Sequence, residues 1–302
     1  MFHLRVAAIG IGSNSLRMLV AEIMDGKLRR LKRYREGLRV FAALDANRNI
    51  LPDMIQKACE SVRTFKEEAQ LQGAERIHLF ATSAVRDAGN QDAFVSELQK
   101  ATGLKLDVCS GNEEASLSFW GAAEGEQAGL IDIGGGSTEI AIGSGREIND
   151  AISLQMGAVR LYRMHPIISI EDAMQVVEMA RSLLQPVQSR FADAETREWA
   201  GVGGTFTTTA ALVQRIPWQQ REKIHGFRLD QASVLETLRF LAPMPLEERL
   251  KLDCLQPQRA DIVVHGIAIL LACMEMLHIS SLTVSEYGNL EGYLKKHYLY
   301  NE

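Results

Sequence analysis

The amino-acid sequence predicts a duplicated α/β protein of two domains. The main observation is a glycine-rich segment that recurs, because Ile9–Met18 aligns without a gap with Ile131–Ile140. Each copy is followed by short apolar runs that alternate with helical patterns, as strand–helix–strand units require. The length of 302 residues also suits two domains of about 100–200 residues each. We place the predicted domains at residues 1–125 and 126–302, with the boundary in the polar stretch Gly125–Gln127.

The first half has the pattern of three strands followed by helices that alternate with strands. A buried apolar run precedes the turn Gly12–Ser15, and Asp25-Gly26 is the signal of a tight hairpin. From Pro52 onward, apolar residues recur on one face of a helix. The predicted elements are strands Val6–Ile11, Leu16–Ile23, Leu28–Tyr34, Ile77–Ala81 and Leu104–Cys109, and helices Pro52–Gln72, Asn90–Ala101 and Glu113–Ala123.

The second half repeats this order. A strand leads into the second glycine turn, a further strand follows, and helical patterns then alternate with strands. The predicted elements are strands Leu130–Ile133, Trp199–Val202 and Leu282–Ser285, and helices Glu171–Gln185, Thr207–Gln214, Gln231–Leu241 and Asp261–Leu277. A last helix begins near Asn289, and it either stays with the second domain or packs back on the first.

Composition and charge exclude several classes of protein. The 33 basic and 38 acidic residues give a net charge of -5, whereas a nucleic-acid-binding domain is usually basic. The longest apolar segment, Ile262–Leu277, is shorter than the ~20 residues that a membrane-spanning helix needs. The four cysteines form no CxxC pair, which predicts reduced thiols and a cytoplasmic location. We therefore expect neither a nucleic-acid partner nor a membrane partner.

Three glycine turns are candidate phosphate-binding loops. Glycine lets the backbone approach an oxyanion and turn its N–H groups toward one point, and Ser and Thr hydroxyls add further donors. The Walker pattern is absent, and the run from Gly10 to Ser15 misses the dinucleotide fingerprint by one residue and precedes a strand. Each turn alone could be an ordinary structural turn, but together they favour phosphate binding. They are Gly12-Ser13-Asn14-Ser15, Gly134-Gly135-Gly136-Ser137-Thr138 and Gly203-Gly204-Thr205.

Two carboxylates flank the second turn. Asp132 precedes it and Glu139 follows it, so both could face a bound phosphate from the end of the hairpin. Carboxylate oxygens beside phosphates are what Mg²⁺ needs. The alternatives are a strand-end hydrogen-bond acceptor for Asp132 and a solvated strand residue for Glu139. We predict that the pair binds Mg²⁺.

At this point the sequence resembles the Ppx/GppA family of exopolyphosphatases and guanosine pentaphosphate phosphohydrolases. The resemblance covers nearly the whole chain and rests on several motifs in order. They are Ile11–Arg17, Ala81–Ala88, Ser110–Ala115, Ile131–Glu139, Met156–Leu161, Gly203–Thr205 and His225-Gly226. The resemblance implies two ribonuclease-H-like domains of the sugar kinase–Hsp70–actin superfamily, with a cleft between them, in the short two-domain form of the family. It also implies hydrolysis of a terminal phosphoanhydride, in polyphosphate or in guanosine pentaphosphate.

The resemblance also implies roles for single residues. Adjacent helix positions point about 100° apart, so only one of Glu113 and Glu114 can face the cleft. The family pattern implies that Glu114 is the catalytic base, with Glu113 as the second choice. The alternative is that both carboxylates only complement the dipole at the helix N-terminus. Arg17, Arg86 and Arg160 are expected to bind phosphate oxygens, although Arg86 could instead be a salt-bridged loop residue. A monovalent cation beside Mg²⁺ and association into a homodimer are left open.

Two residues depart from the family pattern. Gly10 stands where the family has aspartate, and it also aligns with Asp132 in the internal repeat. Ser116 stands where the family often has arginine. A catalytically weakened binding protein is therefore an alternative function, and a small-molecule kinase of the same superfamily is another. If Gly10 is a vacated carboxylate site, Gly10→Asp should be tolerated; if a neighbour fills the space, it should destabilise the fold.

Overall fold

The protein, analysed as a computed structural model, is described for residues 3–123, 125–191, 193–194 and 197–300. Its contacts divide it into two compact units. Unit 1 comprises Met1–Leu117 together with Asn289–Glu302, and unit 2 comprises Ser118–Gly288. The division falls within helix α4, Gly111–Ala122. The last helix of the chain belongs to unit 1.

Unit 1 is a five-stranded mixed sheet with helices. Its strands are β1 (His3–Ile11), β2 (Leu16–Met24), β3 (Lys27–Glu36), β4 (Arg76–Ala81) and β5 (Leu106–Val108). Its helices are α1 (Pro52–Leu71), α2 (Ser83–Arg86), α3 (Gln91–Thr102), α12 (Asn289–Tyr298) and the part of α4 up to Leu117. β1 and β2 are almost wholly buried because their apolar runs have no polar face, whereas β3 alternates and carries exposed basic residues.

Unit 2 is built on a six-stranded sheet. Its strands are β6 (Ala128–Ile133), β7 (Thr138–Ser144), β8 (Glu147–Leu154), β9 (Glu198–Val202), β10 (Arg228–Asp230) and β11 (Ser281–Ser285). Its helices are α5 (Ala158–Met164), α6 (Ile170–Leu184), α7 (Gly204–Gln214), α8 (Arg221–Ile224), α9 (Gln231–Leu241), α10 (Leu246–Arg249) and α11 (Val263–Met276). Of these elements, the sequence analysis named no counterpart of α5, α8, α10, β8 or β10.

Helix α11 explains the long apolar segment noted in the sequence. It is buried from Val263 through Met274 and packs in the core of unit 2 against α6, α9 and α5. A helix that is covered on all sides carries apolar residues all round. In the described part of the chain, no helix is both long and apolar enough to cross a membrane.

The two sheets share one strand order. In unit 1 it is β3-β2-β1-β4-β5, and in unit 2 it is β8-β7-β6-β9-β11 with β10 added at the edge. In both, the first three strands are antiparallel neighbours and the next two pairings are parallel. The duplication predicted from one short glycine-rich segment therefore extends over both sheets.

A β-bulge lies at the same place in both sheets. The pairing of β2 with β3 shifts between Val20 and Ala21, and that of β7 with β8 shifts between Ile142 and Gly143. These two steps coincide when the glycine turns are aligned. A bulge increases local twist and bends the strand. Both hairpins therefore curve at the same distance from their glycine turns.

A buried aromatic ring fills the space beside Gly10. Gly10 pairs with Phe80 of β4, and a Cβ atom added to Gly10 would lie 2.9 Å from Cζ of that ring. Phe80 is fully buried and stacks on Tyr293, with the ring centroids 4.6 Å apart. At the equivalent place in unit 2, Asp132 pairs with the smaller Val202. The structure thus favours the second sequence expectation, in which a neighbour occupies the room that a carboxylate would need.

We predict that Gly10→Ala lowers the free energy of unfolding, because its Cβ would overlap the Phe80 ring. Overpacking of a core typically costs about 1–3 kcal/mol. Gly10→Asp should cost more, because it also places a carboxylate against an apolar ring. Urea unfolding of both variants measures the loss.

The control is a Phe80→Val background, which supplies the residue found at the equivalent position in unit 2. Phe80→Val alone leaves a cavity and is destabilising. In that background, however, Gly10→Ala should cost less than it does in the wild type, because the ring is gone. Equal costs of Gly10→Ala in both backgrounds would contradict a steric origin.

Candidate active site

Each glycine turn is closed by one backbone hydrogen bond. In unit 1 the N–H of Gly12 donates to the carbonyl of Ser15 at 3.0 Å, and in unit 2 the N–H of Gly134 donates to the carbonyl of Ser137 at 2.9 Å. A Cβ atom on either glycine would lie only 3.2 or 3.1 Å from that carbonyl oxygen. The two predicted phosphate loops therefore have one geometry, which requires a small residue at the first position.

Three consecutive backbone N–H groups in each turn make no hydrogen bond to any residue that the structure describes. They belong to Ser13, Asn14 and Ser15 in unit 1 and to Gly135, Gly136 and Ser137 in unit 2. Most of these residues are buried. Buried N–H groups in proteins are almost always paired. Successive N–H groups in a turn form a concave anion site, so an oxyanion is the natural partner in each unit.

The carbonyl groups of both turns are bonded to the protein. In unit 1, Ser13 and Asn14 accept hydrogen bonds from the N–H groups of Phe41 and Arg39. In unit 2, backbone N–H groups of the first turn of α5 donate to two carbonyl groups, from Ala158 to Gly134 and from Val159 and Arg160 to Gly135. The carbonyl of Gly136 accepts a hydrogen bond from Nε of Arg160 at 2.7 Å. With these carbonyl groups bonded, the N–H groups are the main backbone groups of the loops that remain for a ligand.

Gly157 allows α5 to approach the second loop. A Cβ atom on Gly157 would lie 2.3 Å from the carbonyl oxygen of Gly135, which no real side chain tolerates. The side chain of Arg160, predicted to bind phosphate, is engaged by Gly136 and Gln155. In this structure the Arg160 side chain therefore binds the backbone of the second glycine turn.

The first glycine turn, Gly12–Ser15 (loop 1), lies beside α2, and α2 is joined to α4 by a side-chain hydrogen bond within unit 1. The hydroxyl groups of Ser13 and Ser83 are hydrogen-bonded at 2.7 Å, and both are buried. One turn along α2, Nη1 of Arg86 donates to Oε2 of Glu114 at 2.8 Å. Glu114 is only 6% exposed. Arg86 is thus the partner of the expected base, which is the salt-bridged alternative that the sequence left open.

Glu113 points away from this cluster and caps the helix. Its carboxylate accepts a hydrogen bond from the N–H of Ser110 at 3.0 Å, and its own N–H donates to Oγ of Ser110 at 3.2 Å. This reciprocal pair is a capping box. It lowers the pKa of Glu113, mainly through the hydrogen bond from the Ser110 backbone. Of the two adjacent carboxylates, the buried one is therefore Glu114.

Asp132 and Glu139 are direct neighbours on one face of the unit 2 sheet. They are paired across β6 and β7, and they are 9% and 1% exposed. Directly opposite side chains in an antiparallel pair have Cβ atoms about 4.5–5.5 Å apart, and like charges there are destabilising. Two carboxylates held in this way fit a divalent cation that takes oxygen ligands.

The arrangement is not a closed metal cage. Among the described residues, no group of three or more His, Cys, Asp or Glu side chains is placed to hold a metal ion. Mg²⁺ usually keeps several waters and uses one or two carboxylates together with substrate phosphates. Asp132 and Glu139 would supply the two carboxylates, and the adjoining second glycine turn, Gly134–Thr138 (loop 2), is the predicted site of the phosphates.

The equivalent residues of unit 1 carry no negative charge: one is neutral and the other is positively charged. Gly10 and Arg17 occupy the register of Asp132 and Glu139. Nη2 of Arg17 donates to Oδ1 of Asn289 at 3.1 Å. The copy of the hairpin in unit 1 therefore offers a cation beside its turn, whereas the copy in unit 2 offers two carboxylates.

The third glycine turn packs closely at the start of α7. A Cβ atom on Gly203, whose φ is 95°, would lie 3.0 Å from Oδ1 of Asp132. A Cβ atom on Gly204 would overlap the guanidinium of Arg259, 1.7 Å from its Cζ. Thr205 is buried against Gly266 of α11. The two glycines of this predicted turn therefore lie beside charged side chains, and the sequence analysis missed Arg259.

Solved structures with the same fold come from the Ppx/GppA group. A Ppx/GppA enzyme of Aquifex aeolicus is 28% identical, with a TM-score of 0.83, and the match covers 98% of this chain and 100% of that chain. An exopolyphosphatase of Cytophaga hutchinsonii has a TM-score of 0.87 over 99% of both chains; at 22% identity it supports the fold alone. The chain has the two-domain actin-like ATPase fold.

The chain belongs to the Ppx/GppA phosphatase family, which matches residues 19–301. A curated relative, exopolyphosphatase 2 of Mycobacterium tuberculosis, is 33% identical over 312 residues, which cover 95% of this chain and 97% of the relative. The family, the fold class and the assignment as a phosphohydrolase that were predicted from the sequence are confirmed.

We predict that Ser110→Ala and Glu113→Ala each destabilise the protein by about 0.5–2 kcal/mol, the usual cost of a lost N-cap. Because the folded-state pKa of Glu113 is lowered, its contribution is present above its ordinary value of 4.5 and is lost as the pH falls through the folded value. The difference in melting temperature between wild type and Glu113→Gln should therefore shrink below about pH 4.5. A difference that grows in acid would contradict the capping role.

Proposed function

We propose that the protein is a Mg²⁺-dependent exopolyphosphatase, which releases terminal phosphate from inorganic polyphosphate, with guanosine pentaphosphate as the alternative substrate. The observation that carries the proposal is the pair of equivalent turns, each with three N–H groups on buried or half-buried residues and no acceptor among the described residues. Rows of such donors suit a substrate made of consecutive phosphate groups. The name of the mycobacterial relative supports polyphosphate in particular.

The reaction is a transfer of the terminal phosphoryl group to water. A water oxygen bonds to the terminal phosphorus, the bond from that phosphorus to the bridging oxygen breaks, and the shortened chain leaves with the electron pair. The attacking water loses a proton, for which Glu114 is the acceptor that we propose. Arg86, bonded to Oε2 of Glu114 at 2.8 Å, fixes the orientation of the carboxylate.

Asp132 and Glu139 are the residues that would hold Mg²⁺. When bound, the ion would neutralise phosphate charge, the main requirement of phosphoryl transfer. The loop N–H groups donate hydrogen bonds to the non-bridging oxygens. Because these groups are neutral, they bring no further negative charge to the phosphates. Arg17, in unit 1, contributes a fixed positive charge beside the first loop.

A catalytically weakened binding protein is a second candidate, and one observation favours it. Unit 1 carries no carboxylate at position 10, and Phe80 leaves no room for one. Phosphate release from polyphosphate with Mg²⁺ and no nucleotide distinguishes the two functions. Rapid release supports the hydrolase, whereas binding of polyphosphate without release supports the weakened form.

The reaction is expected to take place in the cytoplasm. All four cysteines, Cys59, Cys109, Cys254 and Cys273, are free thiols in the structure. Unpaired thiols are typical of a reducing compartment. The cytoplasmic location is part of the same proposal.

We predict that Glu114→Gln lowers the turnover number by at least ~10²-fold, because a lost general base usually costs that much. Glu113→Gln is the matched control: it is the adjacent carboxylate of the same helix, and it should leave turnover close to that of the wild type. Steady-state phosphate release at saturating polyphosphate measures both. A large loss in Glu113→Gln with little loss in Glu114→Gln would show that the wrong carboxylate was chosen.

We also predict that Asp132→Asn and Glu139→Gln each raise the Mg²⁺ concentration that gives half-maximal rate. Both changes keep the size of the side chain and remove one negative charge from the site. Asp150→Asn serves as a control on the same sheet, because Asp150 is bound to Arg190. A Mg²⁺ titration that is unchanged in all three variants would remove the metal assignment.

A further inference from the structure

Each carboxylate of the Asp132–Glu139 pair accepts a hydrogen bond from a serine. Oγ of Ser118 donates to Oδ2 of Asp132 at 2.7 Å, and Oγ of Ser153 donates to Oε1 of Glu139 at 2.7 Å. Hydroxyl-to-carboxylate bonds of this length are charge-assisted and strong. The sequence analysis singled out neither serine.

The four side chains form one row. Ser153 of β8 lies directly opposite Glu139 of β7, which lies directly opposite Asp132 of β6. Ser118 reaches the far end of the row from the last turn of α4. The row is thus hydroxyl, carboxylate, carboxylate, hydroxyl, with the two acidic groups in the middle.

Both serines are rigidly placed. Ser153 is fixed by the ladder between β7 and β8. Ser118 is completely buried, and the two residues that follow it anchor its helix turn within unit 2. The ring of Phe119 packs on Gly143, where a Cβ atom would lie 2.9 Å from its Cζ, and Nε1 of Trp120 donates to the carbonyl of Arg146 at 2.9 Å. Neither hydroxyl needs a conformational change to keep its carboxylate in place.

We infer that Ser118 and Ser153 are positioning residues that orient Asp132 and Glu139 toward a divalent cation. Each serine occupies one identified oxygen of its carboxylate and thereby limits rotation about the last side-chain torsion. Hydrogen bonds of this kind to metal ligands typically change metal affinity by about 10–100-fold when they are removed. The inference rests on the proposed function, because it presumes that the carboxylate pair binds Mg²⁺.

A purely structural role predicts a different outcome. A serine that only stabilised the fold would lower the melting temperature of the metal-free protein and leave the metal affinity unchanged. A positioning serine weakens metal binding even when the metal-free protein melts as the wild type does. Metal affinity, measured without substrate, therefore separates the two roles.

The experiment uses the full chain with Mg²⁺ or Mn²⁺ as the only ligand. Isothermal titration gives the Kd of the metal for wild type, Ser118→Ala and Ser153→Ala, and calorimetric melting without metal checks their folding. We expect each variant to bind about 10-fold more weakly or worse. Ser153→Thr keeps a hydroxyl at a half-buried strand position and should recover most of the affinity.

Ser116→Ala is the matched control on the same helix, because within the described part of the chain Oγ of Ser116 donates only to the helix carbonyl of Asn112. It should bind metal as the wild type does. Wild-type affinity in both Ser118→Ala and Ser153→Ala would overturn the inference and leave the proposed function intact. A wild-type protein that binds neither ion and releases no phosphate would overturn the proposed function itself.

Discussion

One hydrogen bond in each unit, from the first glycine of the turn to the serine carbonyl at its end, determines the surroundings of both phosphate loops. It closes the hairpin over four residues and so fixes the pairing of the two strands that flank the turn. A slip of one residue would send every second side chain to the other face of the sheet. The same bond pairs the N–H of the first turn residue with the carbonyl of the last. The N–H groups of the other three turn residues are not used by it.

Because the register is fixed, the chemistry of each copy depends on two positions. In unit 2 these are Asp132 and Glu139, and in unit 1 they are Gly10 and Arg17. One backbone design therefore carries a negatively charged pair in one unit and a positive charge in the other. The two copies of the hairpin are therefore equivalent in backbone and opposite in the sign of the charge that they carry. The difference also explains why the fold alone is a poor guide to the role of each half.

Much of this arrangement could be predicted from sequence, since it depends on local geometry. The repeated turn, its flanking strands and the shared face of Asp132 and Glu139 follow from residues close together in the chain. The identity of the buried glutamate was also readable, because Ser110 and Glu113 have the spacing of a capping box, which assigns Glu113 to the helix end. The sequence analysis did not use that signal.

Other features depend on contacts between distant segments, and no local pattern encodes them. The bond from Arg86 to Glu114 joins two helices, and the ring of Phe80 meets Gly10 only because β1 and β4 pair in one register. Ser118 looks like any small residue on an apolar helix until its distance to Asp132 is known. The guanidinium of Arg259 likewise packs on Gly204, a contact between residues far apart in the sequence.

The matching β-bulges bear on the history of the chain. Val20 and Ala21 share no side chain with Ile142 and Gly143, yet the strand is interrupted at the same step in both halves. Two independent insertions at the same step of the strand pairing require more events than one insertion that both copies inherited. A single hairpin that already carried this bend when it was duplicated therefore accounts for both copies.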